Sequence, residues 1–349
     1  MTATLLRREP PETPAETGSR RLAERVSRIR ESGIIIVLAL FVAVTAGIQP
    51  RFLSVTNIQF VLVNTTIYAL LALGETMVVI SRNVDLSVGS VLGMSAYLSA
   101  SLFGEHHGIP IPLVFLAGLG IGLGWGIVNG LVVAAGRVPS LVVTLASLYI
   151  IRGIDILIVG GGMVTANTLP GSFTDIPKAT VAGVPDLAIA VAVVIAAGAY
   201  YLRSYRSGRE LYAIGSNPEA ARLAGIPIGK RVLFAFAVSG AIAGIAGVLW
   251  AAQYGTVDST AGTSYELTVI TAVVVGGVAI FGGSGSVVGA ALGALLLSTI
   301  NSALYVLGIS DFWVQAIFGF MLLLAITIDR VISVKLTAAL RLRCAQRGN

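Results

Sequence analysis

The chemistry open to this sequence is set by a few polar residues inside long apolar runs. Glu75, Arg152, Asp155 and Glu266 are ionisable groups in otherwise hydrophobic stretches, and Asn129 and Asn301 are amides in the same setting. A charge held at membrane depth is costly, so each such group is a functional candidate. None belongs to a bond-making site. The runs hold no histidine, and no carboxylate pair or nucleophile–base set appears. The single cysteine, Cys344, excludes a disulfide framework or a cysteine-built metal centre. His106 and His107 are too few for a metal site, so no metal ligand is assigned. What remains is the chemistry of a path or a gate. Arg152 and Asp155 stand three apart on one helix face and can pair. They form either a gate element or an internal structural pair. Glu266 lies near the outer end of its apolar stretch.

The elements that hold these groups must be membrane helices. Hydrophobic residues make up 56% of the 349, a further 41 are glycine, and charged residues are only 11%. Soluble domains carry about 25% charged residues and need a polar exterior. A crossing helix needs about 20 mostly apolar residues. That ruler gives candidate spans at 33–49, 58–80, 86–104, 112–135, 140–160, 186–202, 232–253, 265–282, 286–307 and 313–333. The expected fold is therefore an all-α integral membrane protein of about ten transmembrane helices. The fifth span is the weakest, because Arg152 and Asp155 interrupt it.

Charge fixes the expected direction, since Lys and Arg gather in cytoplasmic loops. With the N-terminal tail inside and ten alternating spans, all 23 basic residues except Arg51, Lys178 and Arg152 fall in cytoplasmic segments. Both termini are thus expected in the cytoplasm. Three divisions follow. Residues 1–32 are a polar tail, read as disordered rather than as a cleavable signal, with either a short amphipathic helix or a solvated basic lead-in from Arg20 to Glu31. Residues 33–335 are the transmembrane domain, and 336–349 are a basic tail. Asp85 with Arg82 is expected at the cytoplasmic surface, positioning the turn between the second and third spans.

The cytoplasmic loop 203–231 is the most informative segment. Asn217 is a good helix N-cap, Pro218 suits the first helical position, and Glu219 favours the positive helix end. Gly225 then stops the helix. The expectation is a short capped helix of two turns, a docking element that a plain connection would not need. Glu219-Ala220-Ala221, followed by Arg222 and Gly225-Ile226, resembles the Glu-Ala-Ala loop of ABC-importer permeases. Asp85-Leu86-Ser87-Val88-Gly89-Ser90 resembles that family's signature after the second span. Asn129-Gly130 with Val138-Pro139, Tyr265-Glu266-Leu267 with Gly276-Gly277 and Phe281-Gly282-Gly283, and Asn301 with Phe312-Trp313 extend the match, in order, from about residue 50 to 335. The chain is similar to permease subunits for ribose, other monosaccharides and autoinducer-2. It departs from them at Ser81-Arg82-Asn83-Val84, at Glu75 and in the long N-terminal tail.

The resemblance implies a type II-like permease architecture in a bacterial cytoplasmic (inner) membrane, working by alternating access. Its implied partners are the bilayer, a second permease chain (identical or a paralogue), two ATP-binding-cassette ATPase domains and an extracytoplasmic sugar-binding protein. No nucleic acid is implied. The implied cargo is a monosaccharide or small polyol of the ribose, rhamnose, xylose, galactose or autoinducer-2 type. Glu75, Asn129, Arg152, Asp155, Glu266 and Asn301 are then path candidates; Glu266, as part of the family pattern, suits a path or a capping role, and the two amides suit either sugar hydroxyls or interhelix hydrogen bonds. ATP and Mg belong to the partner, because Gly225 to Arg231 has the wrong glycine spacing for a phosphate loop. No cofactor is expected on this chain, and no enzyme activity. The competing class is a secondary transporter driven by an ion gradient.

Overall fold

The computed structural model describes residues 32–105, 108–310 and 312–327. The expected basic tails, the Arg20–Glu31 helix, His106, His107 and the end of the last span lie outside the described residues. The helices in chain order are α1 (Ser32–Ile48), α2 (Val55–Ile80), α3 (Val88–Glu105), α4 (Ile111–Ala134), α5 (Ser140–Val159), the single turn α6 (Gly171–Thr174), α7 (Asp186–Ser204), α8 (Arg206–Ser216), α9 (Pro218–Leu223), α10 (Ile228–Tyr254), α11 (Tyr265–Val275), α12 (Val287–Val306) and α13 (Phe312–Thr327). A two-residue hairpin, β1 (Thr180–Val181) with β2 (Val184–Pro185), and an isolated antiparallel bridge between Val164 and Val257 are the extended pairings among the described residues.

Each of the ten expected segments contains a helix, but they are not equivalent. Six helices, α2, α4, α5, α7, α10 and α12, are long and apolar enough to cross a membrane; α1, α11 and α13 are shorter. The eighth expected span, 265–282, is the clearest difference. Its helix ends at Val275, and an irregular stretch runs on to Ser286. Gly276 is pressed against Gly289 and Ala290 of α12, and Gly277, Gly282, Gly283 and Gly285 all take positive φ.

The core is built around α2 and α10. Every residue of α2 from Thr66 to Ile80 is buried, as suits a helix that is apolar all round. α4 and α10 run antiparallel along a glycine seam, with Gly118 against Gly244, Gly122 against Gly240 and Gly126 against Phe236. A Cβ added at Gly122 would fall on the Gly240 carbonyl oxygen, and one at Gly240 on that of Gly122. In lipid, where burial of apolar surface gives no drive, such close backbone approach is what holds helices together.

The segment between α2 and α3 corrects the expectation for Asp85. Asp85 is only 1% exposed, and its Oδ2 accepts a 3.4 Å hydrogen bond from Ser239 Oγ of α10. Ser239 lies eleven residues into α10, about 16 Å along the helix at 1.5 Å per residue. Residues 81–87 therefore fold back between the helices, and α3 starts from within the bundle. Irregular backbone at depth is tolerated where protein surrounds it.

Candidate coupling loop and solute path

The 203–231 loop holds two helices where the sequence suggested one. α9 is the expected one. Asn217 Oδ1 accepts from the amides of Glu219 and Ala220, both at 3.1 Å, Pro218 fills the first position, and Gly225 follows the end with φ +74°. Glu219 and Arg222 are exposed and 3.6 Å apart. Ala221 is buried, while Leu223 is 90% exposed.

α8 was not foreseen. It buries Gly208, Glu210, Leu211, Ile214 and Gly215 on one stripe. Glu210 accepts hydrogen bonds from Arg206 Nε at 2.8 Å and from Arg231 Nε at the start of α10. The bond from Arg231, then that from Arg206, holds the Glu210 carboxyl below its usual range. Tyr212 OH donates to the Gly285 carbonyl at 3.0 Å. At the far end Gly215 sits on the Ile80 carbonyl, which also accepts from Gly283 N at 2.9 Å. A side chain at 215 has no room. α8 is thus fastened to the end of α2, to the 282–285 turn and to α10. Beside it, an open cleft of about 750 Å³ is lined by Arg82, Arg137 and Arg222.

The expected path residues fall into three groups. In the first, a hydrogen-bonded chain crosses the bundle. Glu75 Oε1 accepts from Asp85 N at 3.1 Å, and Asp85 Oδ1 accepts from Ser87 N and Ser87 Oγ at 3.0 and 2.6 Å. Asn129 Nδ2 donates to Ser87 Oγ at 2.8 Å, and Ser147 Oγ donates to Asn129 Oδ1 at 2.5 Å. Thr144 and Ser140 of α5 bind the Val84 carbonyl and amide, both at 3.2 Å. Ser147, Thr144 and Ser239 escaped notice because single hydroxyls in apolar helices carry no pattern. Asn129 is engaged with Ser87 and Ser147, the interhelix alternative.

The second group surrounds Arg152, and it corrects the Arg152–Asp155 pairing. Arg152 Nη1 donates instead to the carbonyls of Ser259 and Ala261, at 3.0 and 2.7 Å. These carbonyls lie on the α10–α11 connection, so Arg152 holds that loop against α5. Asp155 is 1% exposed, and neither of its carboxylate oxygens has a hydrogen-bond partner. Gly89 and Gly93 of α3 explain their place here. A Cβ at Gly89 would fall on Glu266 Oε2, and one at Gly93 would lie 3.2 Å from Arg152 Nη1. Glu266 Oε2 is itself buried without a partner.

The third group is Asn301 alone, on α12, which shares a small cavity with Ser264 and Tyr265 at the start of α11. It faces Tyr68 of α2 across small cavities on the side opposite α8 and α9. Among the described residues no three His, Cys, Asp or Glu converge as a metal site would need.

A family model described as the permease component of the branched-chain amino acid transport system matches residues 57–326. The chain belongs to this permease family. The matched stretch runs from α2 into α13 and contains both helices of the loop and all three groups. The ribose import permease protein RbsC of Haemophilus influenzae is 35% identical over 307 residues, covering 87% of this chain and 94% of that protein. The autoinducer 2 import system permease protein LsrC of Enterobacter sp. (strain 638) is 34% identical over 321 residues, covering 91% and 92%. The ribose import permease protein RbsC of Escherichia coli K12 is 32% identical over 303 residues, covering 86% and 94%. No solved structure matches the chain. With these helices, the permease is a multi-pass membrane protein.

Proposed function

We propose that this permease forms the pathway of an ATP-driven importer for a monosaccharide or similar small polyol. The observation that carries the reading is the division of the loop, with α9 presented outward and α8 fastened into the bundle. In this reading α9 lies in the cytoplasm and receives the partner ATPase, which binds ATP and Mg. Its closure displaces α8, and α8 moves the 81–87 and 282–285 segments together with the start of α10. The 81–87 segment carries Asp85 and Ser87, so the hydrogen-bonded chain to Asn129 and Ser147 is the first polar element to feel the stroke. A second permease chain completes the path, and an extracytoplasmic binding protein delivers the sugar. The sugar class follows from the ribose and autoinducer 2 import permeases among the relatives. The residues are assigned no bond-making step.

The test is uptake into vesicles holding the permease, its ATPase and the binding protein. Uptake of a labelled monosaccharide should require ATP inside together with the ATPase. The Asp155 carboxylate, which makes no hydrogen bond, and the unpartnered Oε2 of Glu266 favour a second reading, a carrier driven by an ion gradient. Uptake driven by a proton or sodium gradient without the ATPase would establish it and refute the importer.

A further inference from the structure

On the face opposite α8 and α9, two chambers of about 190 and 230 Å³ lie side by side. Tyr68 and Asn301 line both, so they form the wall between them. The chambers are small beside the roughly 300–1,000 Å³ pockets that hold drug-sized ligands, which suits a single ring.

Their lining has one chemical character. It consists of aromatic rings, amides, hydroxyls and one valine, with no acidic or basic side chain in either chamber. An ammonium or carboxylate entering there would lose its hydration and meet no counter-charge, a heavy cost in a low-dielectric site. A molecule with many hydroxyls and apolar C–H faces meets the opposite situation, with rings for its faces and amides and hydroxyls for its edges.

Part of the lining is committed and part is unspent. Asn64 Oδ1 accepts from Gln253 Nε2 at 2.9 Å and from Tyr254 OH at 3.0 Å. Tyr265 OH accepts from Trp250 Nε1 at 3.0 Å, and the Tyr68 and Tyr265 rings stand 5.0 Å apart. These bonds fix an aromatic frame. Ser298 Oγ, by contrast, is buried without a partner on a residue 2% exposed. The Asn301 amide makes no hydrogen bond among the described residues. A buried hydroxyl left without a partner carries a desolvation penalty that a ligand's hydroxyl removes.

We propose that the two chambers are adjoining binding stations for one uncharged polyhydroxylated ring, with Asn301 and Ser298 as its hydrogen-bonding groups and Tyr68 as its stacking wall. This rests on the importer reading and narrows it, because the same lining disfavours amino acids despite the name of the family.

The complete transporter, reconstituted with its ATPase and binding protein, is given labelled D-ribose, D-xylose, D-galactose, L-rhamnose and L-leucine in turn. For the sugar moved best, Asn301→Ala should lower discrimination against the analogue lacking one hydroxyl by about tenfold, and Asn301→Gln should recover part of it. In a Cys344→Ser background, Ser298→Cys should be alkylated by iodoacetamide, with loss of iodide, at least about fivefold more slowly during turnover with that sugar. Transport of one sugar, with unchanged discrimination in Asn301→Ala and equal alkylation with and without sugar, would overturn the stations and leave the importer standing. Protection by leucine and by no sugar would overturn the neutral-ligand assignment. Failure of every sugar to be moved by ATP in the unaltered transporter would bring down the importer reading and the stations with it. Should Asn301→Ala fail to assemble, the alkylation rates decide alone.

Discussion

α8 and α9 are consecutive helices of one loop, separated only by Asn217, yet they present opposite kinds of surface. α8 hides a carboxylate between two guanidiniums and seats a glycine on the carbonyl of another helix. α9 exposes an ion pair and leaves a leucine 90% bare. A segment that transmits force must not slip, so its contacts are buried and directional. A segment that receives a partner must be accessible, so its apolar side chain waits uncovered. In the proposed importer, the contrast puts the boundary between receiving and transmitting at Asn217.

The comparison can be broken most severely at Gly215. Gly215→Val places carbons where the Ile80 carbonyl and Gly283 amide already stand. Overpacking of this kind costs about 1–3 kcal/mol or more, so the yield of monodisperse protein in detergent should collapse. A normal yield and melting temperature would show that α8 is not fixed there. Next comes Leu223→Asp, together with Glu219→Lys. Membrane insertion and melting should be unchanged, while co-purification of the ATPase falls by roughly 30-fold, as for a hot spot of about 2 kcal/mol. Undiminished co-purification would remove α9 from the docking surface.

Arg152→Ala should leave assembly intact and lower transport several-fold, because the 259–261 carbonyls lose their only described link to α5 through this side chain. Transport at the original rate would make Arg152 purely structural. Glu210 gives the smallest and most specific effect. Its carboxyl titrates below the ordinary value of 4.5 in the folded protein. A depressed carboxyl stabilises the fold above the unfolded value and loses that contribution as pH falls through the folded one. Melting temperatures should thus be flat from pH 7 to about 5 and fall below about pH 4. Glu210→Gln should lower the plateau by a few degrees and flatten the acid slope; an unaltered slope would show that the carboxylate is idle.

α9 was legible because Asn-Pro-Glu and a closing glycine are local signals that act on the backbone within one turn. α8 was not, because Arg-Ser-Gly-Arg-Glu carries a glycine and three charges, and its helical stripe matters only once α2 and α10 are there to cover it. The ten apolar segments were legible by hydropathy, which reports solvent and not path. It could not show that 81–87 turns back into the bundle and carries Asp85 inward, since a charged turn at a span boundary ordinarily stays at the surface. Gly276-Gly277 read as part of an eighth span, although the need to press against α12 ends the helix one residue before them. Among the path residues, Asn129 is satisfied by Ser87 and Ser147, contacts 42 and 18 residues away in sequence that no local pattern encodes.

The glycine seam of α4 and α10 also sets a clock. Gly122 leaves the ribosome well before its counterpart Gly240, with 117 residues in between. At about 5–20 residues per second, that is a wait of roughly 6–23 s in which α4 sits in lipid with its seam unmatched. The α4–α10 seam therefore closes only with the arrival of α10, and in a nascent chain stalled before residue 240 the glycine face of the fourth helix still lacks its partner.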